Sequence, residues 1–275
     1  MELALRVFLL VLLLDSPLLW YQRVPLEIVC AVGLLLPRLL RDVRLWGSIT
    51  ALTAWPIFWN WPFSDNHDYL RCFVALAVTL ALSARTPERT LQLSARLLLA
   101  GTFGFATLWK LGLSPDFVDG TFFRVALLTD GRFTDLAVLV GGASWETLDA
   151  FDAALRSLLG GGVSAWPGAF VEPAALRPLA LGLTAFTGAI EAAITIAFLW
   201  PRFASARNPL LIFFGLTTFA FATVRGFGWL LMTLGLMQCE RRARVARAGY
   251  VATLFLIEAY RQVPWSRMLV DGLTR

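Results

Sequence analysis

The sequence predicts an all-α fold: a polytopic membrane helix bundle of about nine spans, with the N-terminus cytoplasmic. Three observations predict it. The 275 residues are 58% hydrophobic and 16% charged, with a mean hydropathy of +0.68, whereas soluble chains carry about 25% charged residues. Apolar runs long enough to be membrane helices recur from end to end. The arginines between those runs gather on alternate loops, the pattern that orients membrane proteins. The formal charge of +5 is therefore read as topology rather than as affinity for nucleic acid, and the bilayer is the first partner expected.

In chain order, the first apolar run covers residues 3–20, and further spans read as 24–37, 45–61, 69–84, 94–113, 179–200, 208–224, 226–239 and 247–264. Arg6 ahead of Val7–Leu14 resembles a signal peptide, but Asp15-Ser16-Pro17 follows instead of a small-residue cleavage site, so the run is expected to stay as a helix. The spans 24–37 and 226–239 are short for a hydrocarbon core of ~30 Å, which leaves them tilted, buried or re-entrant. With the N-terminus inside, the inner loops hold Arg38, Arg41, Arg44, Arg85, Arg89, Arg96, Arg202, Arg207, Arg241, Arg242, Arg244 and Arg247, and the short outer loops only Arg23 and Arg225. A plasma or inner membrane location follows from that bias.

The longest connection, 114–178, then lies on the non-cytoplasmic side and is acidic, with Asp116, Asp119, Asp130, Asp135, Glu146, Asp149, Asp152 and Glu172. Ser144 reads as the cap of an amphipathic helix through about Leu159, with Leu148, Phe151, Leu155, Leu158 and Leu159 on one face and Gly160-Gly161-Gly162 ending it. No soluble domain or repeat interrupts the pattern, so residues 1–275 read as one transmembrane domain. Cys30, Cys72 and Cys239 form no C-x-x-C pair and read as apolar thiols.

Chemistry is expected at three residues. Lys110 is the sole lysine among 24 basic residues, and a desolvated lysine can lose its proton where an arginine cannot. Snorkelling to the headgroups is the plainer reading. The sole histidine, His67, stands in Asp65-Asn66-His67-Asp68-Tyr69, as an acid–base or orienting group or as an exposed loop residue beside a capping Asp65 or Asn66. No metal is expected there, because no further ligand clusters nearby. Glu191 sits mid-span with Thr184, Thr187, Gly188 and Thr195 on its face, and an intramembrane carboxylate needs a partner. Aromatics flank both sites, Trp55 to Phe63 before His67 and Phe105, Trp109 and Phe117 around Lys110. They suit an interfacial belt or the walls of a flat, quinone-like ligand.

Asn66-His67-Asp68-Tyr69-Leu70 resembles the N-H-x-Y-L motif of the HTTM family, membrane domains related to vitamin K-dependent gamma-glutamyl carboxylase. Phe105 to Leu111 followed by Pro115-Asp116-Phe117-Val118-Asp119-Gly120 resembles that family's A-G-x-x-K-L…D-x-W-x-x-G segment, and Glu191 falls where the family has an acidic residue. The resemblance spans essentially the whole chain. It implies Lys110 as the base that deprotonates a hydroquinone of the menaquinol or vitamin K type, with oxygen addition and carbon dioxide capture following. It places His67 in the same centre, Glu191 as an interior partner, and Trp109, Phe105, Trp59, Asn66 and Tyr69 around the cofactor. Phe117 replaces the motif's tryptophan, the span around Phe214-Gly215-Leu216 lacks a histidine, and nothing corresponds to the family's lumenal domain. Two expectations follow. One is a quinol-linked, carboxylase-like enzyme acting on a small or partner-presented substrate. The other is a non-catalytic membrane subunit, held by a membrane or periplasmic partner protein, that keeps the fold.

Overall fold

A computed structural model describes residues 1–15, 19–159, 172–222 and 224–263, together with 265, 268, 269 and 272. Among them every regular element is helical and no strand occurs. The helices are α1 (Glu2–Leu14), α2 (Trp20–Leu35), α3 (Val43–Trp59), α4 (Asn66–Ser83), α5 (Pro87–Leu108), α6 (Pro115–Val118), α7 (Thr121–Thr129), α8 (Thr134–Leu139), α9 (Trp145–Leu159), α10 (Leu176–Leu199), α11 (Arg207–Phe221), α12 (Arg225–Gln238) and α13 (Arg244–Gln262). Each expected span coincides with one helix. Among the described residues, two segments are long and apolar enough to cross a membrane, Pro87–Leu113 and Leu176–Leu199.

The first span is shorter than expected. Its helix stops at Leu14 rather than at residue 20, and the Asp15 carboxylate just beyond it turns to bond Arg71 and Arg225. The connection 114–178 is richer than expected. Besides α9 it carries α6, α7 and α8, short helices that the irregular mixture of Gly, Asp and Thr concealed. The expected stop at Gly160–Gly162 and the side chains of Leu158 and Leu159 lie outside the described residues.

The chain forms two compact units. The first comprises Met1–Thr102, Ile194–Leu216 and Val224–Glu258. Its axis is α12, of which every residue from Gly228 to Gln238 is buried, as an all-round apolar helix requires. This resolves the short span 226–239 as a buried helix. Helices α1 and α4 pack against it, and Phe8 stacks on Trp46 of α3 at 5.8 Å. Helix α2 is two-faced: Leu26, Cys30 and Gly33 are buried, while Trp20, Val24, Ile28, Val32 and Leu35 form an exposed apolar stripe.

The second unit comprises Phe103–Ala193, Thr217–Thr223 and Ala259–Arg275. Its core joins Phe117 of α6, Phe123 and Leu127 of α7, Leu136 of α8, Leu148 of α9 and Leu176 and Ala180 of α10. Ser144 Oγ accepts the amide of Thr147 at 3.1 Å, the expected cap of α9. Gly120 begins α7 at φ +82°, with a Leu181 methyl 3.0 Å from where a Cβ would stand. Both the left-handed backbone and the close approach demand glycine there.

Candidate functional site

The continuous helix ending in Lys110 changes pitch before it stops. Residues Trp109–Leu113 form a π-helical turn, a widening that occurs mostly as a single turn and frequently at functional sites. Within that turn Lys110 Nζ donates to Glu191 Oε1 of α10 at 2.5 Å. Glu191 is 5% exposed, and the lysine side chain retains 27% exposure. The ring of Phe117 lies 5.4 Å below the ammonium, within cation–π range. Thr184, two turns before Glu191 on the same face, donates to the Phe117 carbonyl at 3.2 Å, which fixes that ring's backbone against α10. The ammonium is thus held between a carboxylate and an aromatic face, with one side open.

Phe105 and Trp109, expected around a cofactor, sit four residues apart on one helix face and are 75% and 64% exposed. They form an apolar apron beside the lysine rather than a closed wall. Phe117 was anticipated as an aromatic neighbour, but its position beneath the amine was not; only the chain reversal at Ser114-Pro115 brings it back.

His67, Asn66, Tyr69 and Trp59 lie in the first unit. Asp65 and Asp68 close a capping box on α4, with the Asp65 amide donating to Asp68 Oδ2 at 3.3 Å. Helix α4 accordingly begins at Asn66, three residues before the expected start. His67 stands 3.9 Å from both carboxylates, and Tyr69 Oη donates to the Trp61 carbonyl at 3.2 Å. The side chains of Asp65, His67 and Asp68 bring one possible ligand atom each within 4.8 Å of one another. Asp68 is already committed to Arg71 and to the cap. Trp59 is 73% exposed.

Beside this motif lies a charged network of Asp15, Asp68, Arg71 and Arg225. Arg71 of α4, 4% exposed, donates to Asp15 Oδ2 at 2.8 Å and to Asp68 Oδ1 at 2.9 Å. Arg225, at the start of α12, donates to Asp15 Oδ1 at 3.3 Å and to the Leu14 carbonyl at 3.1 Å. A Cβ on Gly226 would fall 2.0 Å from the Asp15 carboxylate, so glycine there is what admits the acid. The signal for Arg71 was available: an arginine inside the span 69–84 requires a buried partner.

Comparisons of the chain with protein-family models, with curated proteins and with solved structures give no match.

Proposed function

We propose that this chain is a multi-pass membrane protein whose Lys110–Glu191 pair is the proton-handling centre of a quinol-linked, carboxylase-like enzyme. The observation that carries the reading is the sole lysine, placed in a π-turn and bonded to a buried carboxylate. The membrane assignment draws support from surface chemistry. The apolar stripe on α2 and the exposed Trp55, Phe58, Trp59, Trp61 and Phe63 would be costly in water and suit acyl chains and their interface. The arginine bias favours nine crossings with the N-terminus cytoplasmic and Lys110 near the outer face.

Within the second unit the residues fit a flat aromatic ligand. Lys110 keeps one open side, and Phe105 and Trp109 offer apolar faces next to it. A hydroquinone bound there supplies an acidic O–H and reducing equivalents. Lys110 Nζ is the atom that takes up the proton. Transfer of its resting proton across the 2.5 Å bond to Glu191 leaves a neutral amine beside a neutral acid, so no net charge is created in a low-dielectric site. Glu191 also aims the amine, and Phe117 stabilises the ammonium once it forms.

Lys110→Arg keeps the charge and the ion pair but removes a usable base. It is expected to abolish turnover of a reduced quinone in membranes containing the protein. Full turnover by that variant refutes the reading. A second reading is a non-catalytic membrane subunit, in which the Lys110–Glu191 ion pair serves to pin the π-turn to α10. On that reading Lys110→Arg preserves function, and the purified protein carries a stable partner but neither hydroquinone nor quinone.

A further inference from the structure

The first turns of α1 and α13 meet a 3-10 turn (Pro37–Arg41) and the loop after α12 around a cavity of about 320 Å³. Its lining is Met1, Glu2, Leu3, Arg41, Arg241 and Arg247. All of these belong to the first unit. Three guanidinium groups thus face one hollow with a single lining carboxylate. Arg41 is bonded to Glu2 at 2.9 Å and Arg241 to Glu88. Both pairs are exposed, hence weak and open to exchange with another anion. Arg247 has no ion-pair partner among the described residues.

One further feature deepens the positive potential. The first turn of α1, a helix of 13 residues, lines the hollow through Glu2 and Leu3, and a helix N-terminus favours negative charge.

We infer that this cavity binds a phosphate group, presented by an anionic lipid headgroup or by a free phosphate. Arginine forks match phosphate oxygens, and the volume reaches the lower range of small-ligand pockets, roughly 300–1,000 Å³. The adjoining recess behind Arg241 and Arg247 holds only about 10 Å³, so the ligand's charged group is what the hollow receives. The lipid source rests on the membrane reading above; the phosphate chemistry does not, and neither depends on Lys110, which belongs to the other unit.

The test titrates the full chain in detergent with short-chain phosphatidylglycerol, short-chain phosphatidylcholine and inorganic phosphate, read by native mass spectrometry. Phosphatidylglycerol is expected to bind and phosphatidylcholine to bind several-fold more weakly. Arg247→Gln should weaken phosphatidylglycerol about fivefold, near the value of one basic residue at an anionic surface. Arg247→Lys should restore most of it, which separates charge from misfolding. Arg132→Gln, in the other unit, should change nothing. Competition by inorganic phosphate at similar concentrations assigns a free phosphate, and its failure to compete assigns the lipid. Equal binding of the two lipids together with no phosphate binding overturns the inference. So does wild-type affinity for the bound ligand in a folded Arg41→Gln, Arg247→Gln double variant.

Discussion

Lys110 and Glu191 stand 81 residues apart, and each could be singled out on its own because a charge in an apolar span demands an explanation. Their pairing was not legible, since nothing local in either helix names its partner. The same holds for Asp15 and Arg71, 56 residues apart. Arg71 is a clean test of how much such a buried network contributes. Arg71→Met leaves Asp15 short of a partner, and removing one member of a buried pair costs about 3–5 kcal/mol. Thermal unfolding in detergent should show the loss, and Asp15→Asn in the same chain should recover part of it. Glu191→Gln should strand the Lys110 ammonium, lower kcat of any quinol turnover, and leave KM comparatively unchanged if Glu191 acts through the lysine.

Helices α6 to α9 form an element-scale story in which capping decides stability. Ser144→Ala removes the side-chain bond to Thr147 and should destabilise α9 by about 1 kcal/mol, read as faster amide exchange over residues 145–157. The carboxyl of Asp119 is held below its usual range by hydrogen bonds from Thr121, and that of Asp130 chiefly by the Arg132 guanidinium. A carboxylate whose pKa falls on folding stabilises above its unfolded value of about 3.9 and loses that contribution as pH drops through the lower, folded value. Exchange protection of α7 and α8 should therefore be flat above that unfolded value and decline below it. Helix α9 was readable because its apolar period is long and its cap is a serine. The three short helices before it were not, because four, nine and six residues hold too few turns to show a period, and their order comes from the shared core around Phe117, Phe123 and Leu136.

At the scale of the whole molecule, hydrophobicity marked where the long helices lie, but α1 ends at Leu14 rather than residue 20 and α5 begins at Pro87 rather than residue 94, because charged and polar residues at those ends obscure the boundary. Which helix is central was not legible, since α12 and α2 are similarly short and apolar, and only assembly makes one of them an axis. Topology remains to be measured: reporters fused after Arg41 or Arg242 should be active only in a cytoplasmic assay, and one fused after Asp130 only in an exported one. The reverse pattern would invert the assignment of sides. Helix α12, with 14 residues, is about 21 Å long, well short of a ~30 Å hydrocarbon core, and is wrapped by its neighbours on every side. Such a segment has little reason to leave the insertion machinery for lipid by itself. It needs α1 and α4 as its solvent, and Asp15 must already be in place to receive Arg225. On the proposed membrane reading, the carboxy-terminal third should therefore enter the membrane late and in one concerted event, and ribosomes stalled just after Gln238 should display α12 still accessible to water-soluble cysteine reagents, becoming shielded only when α13 has emerged.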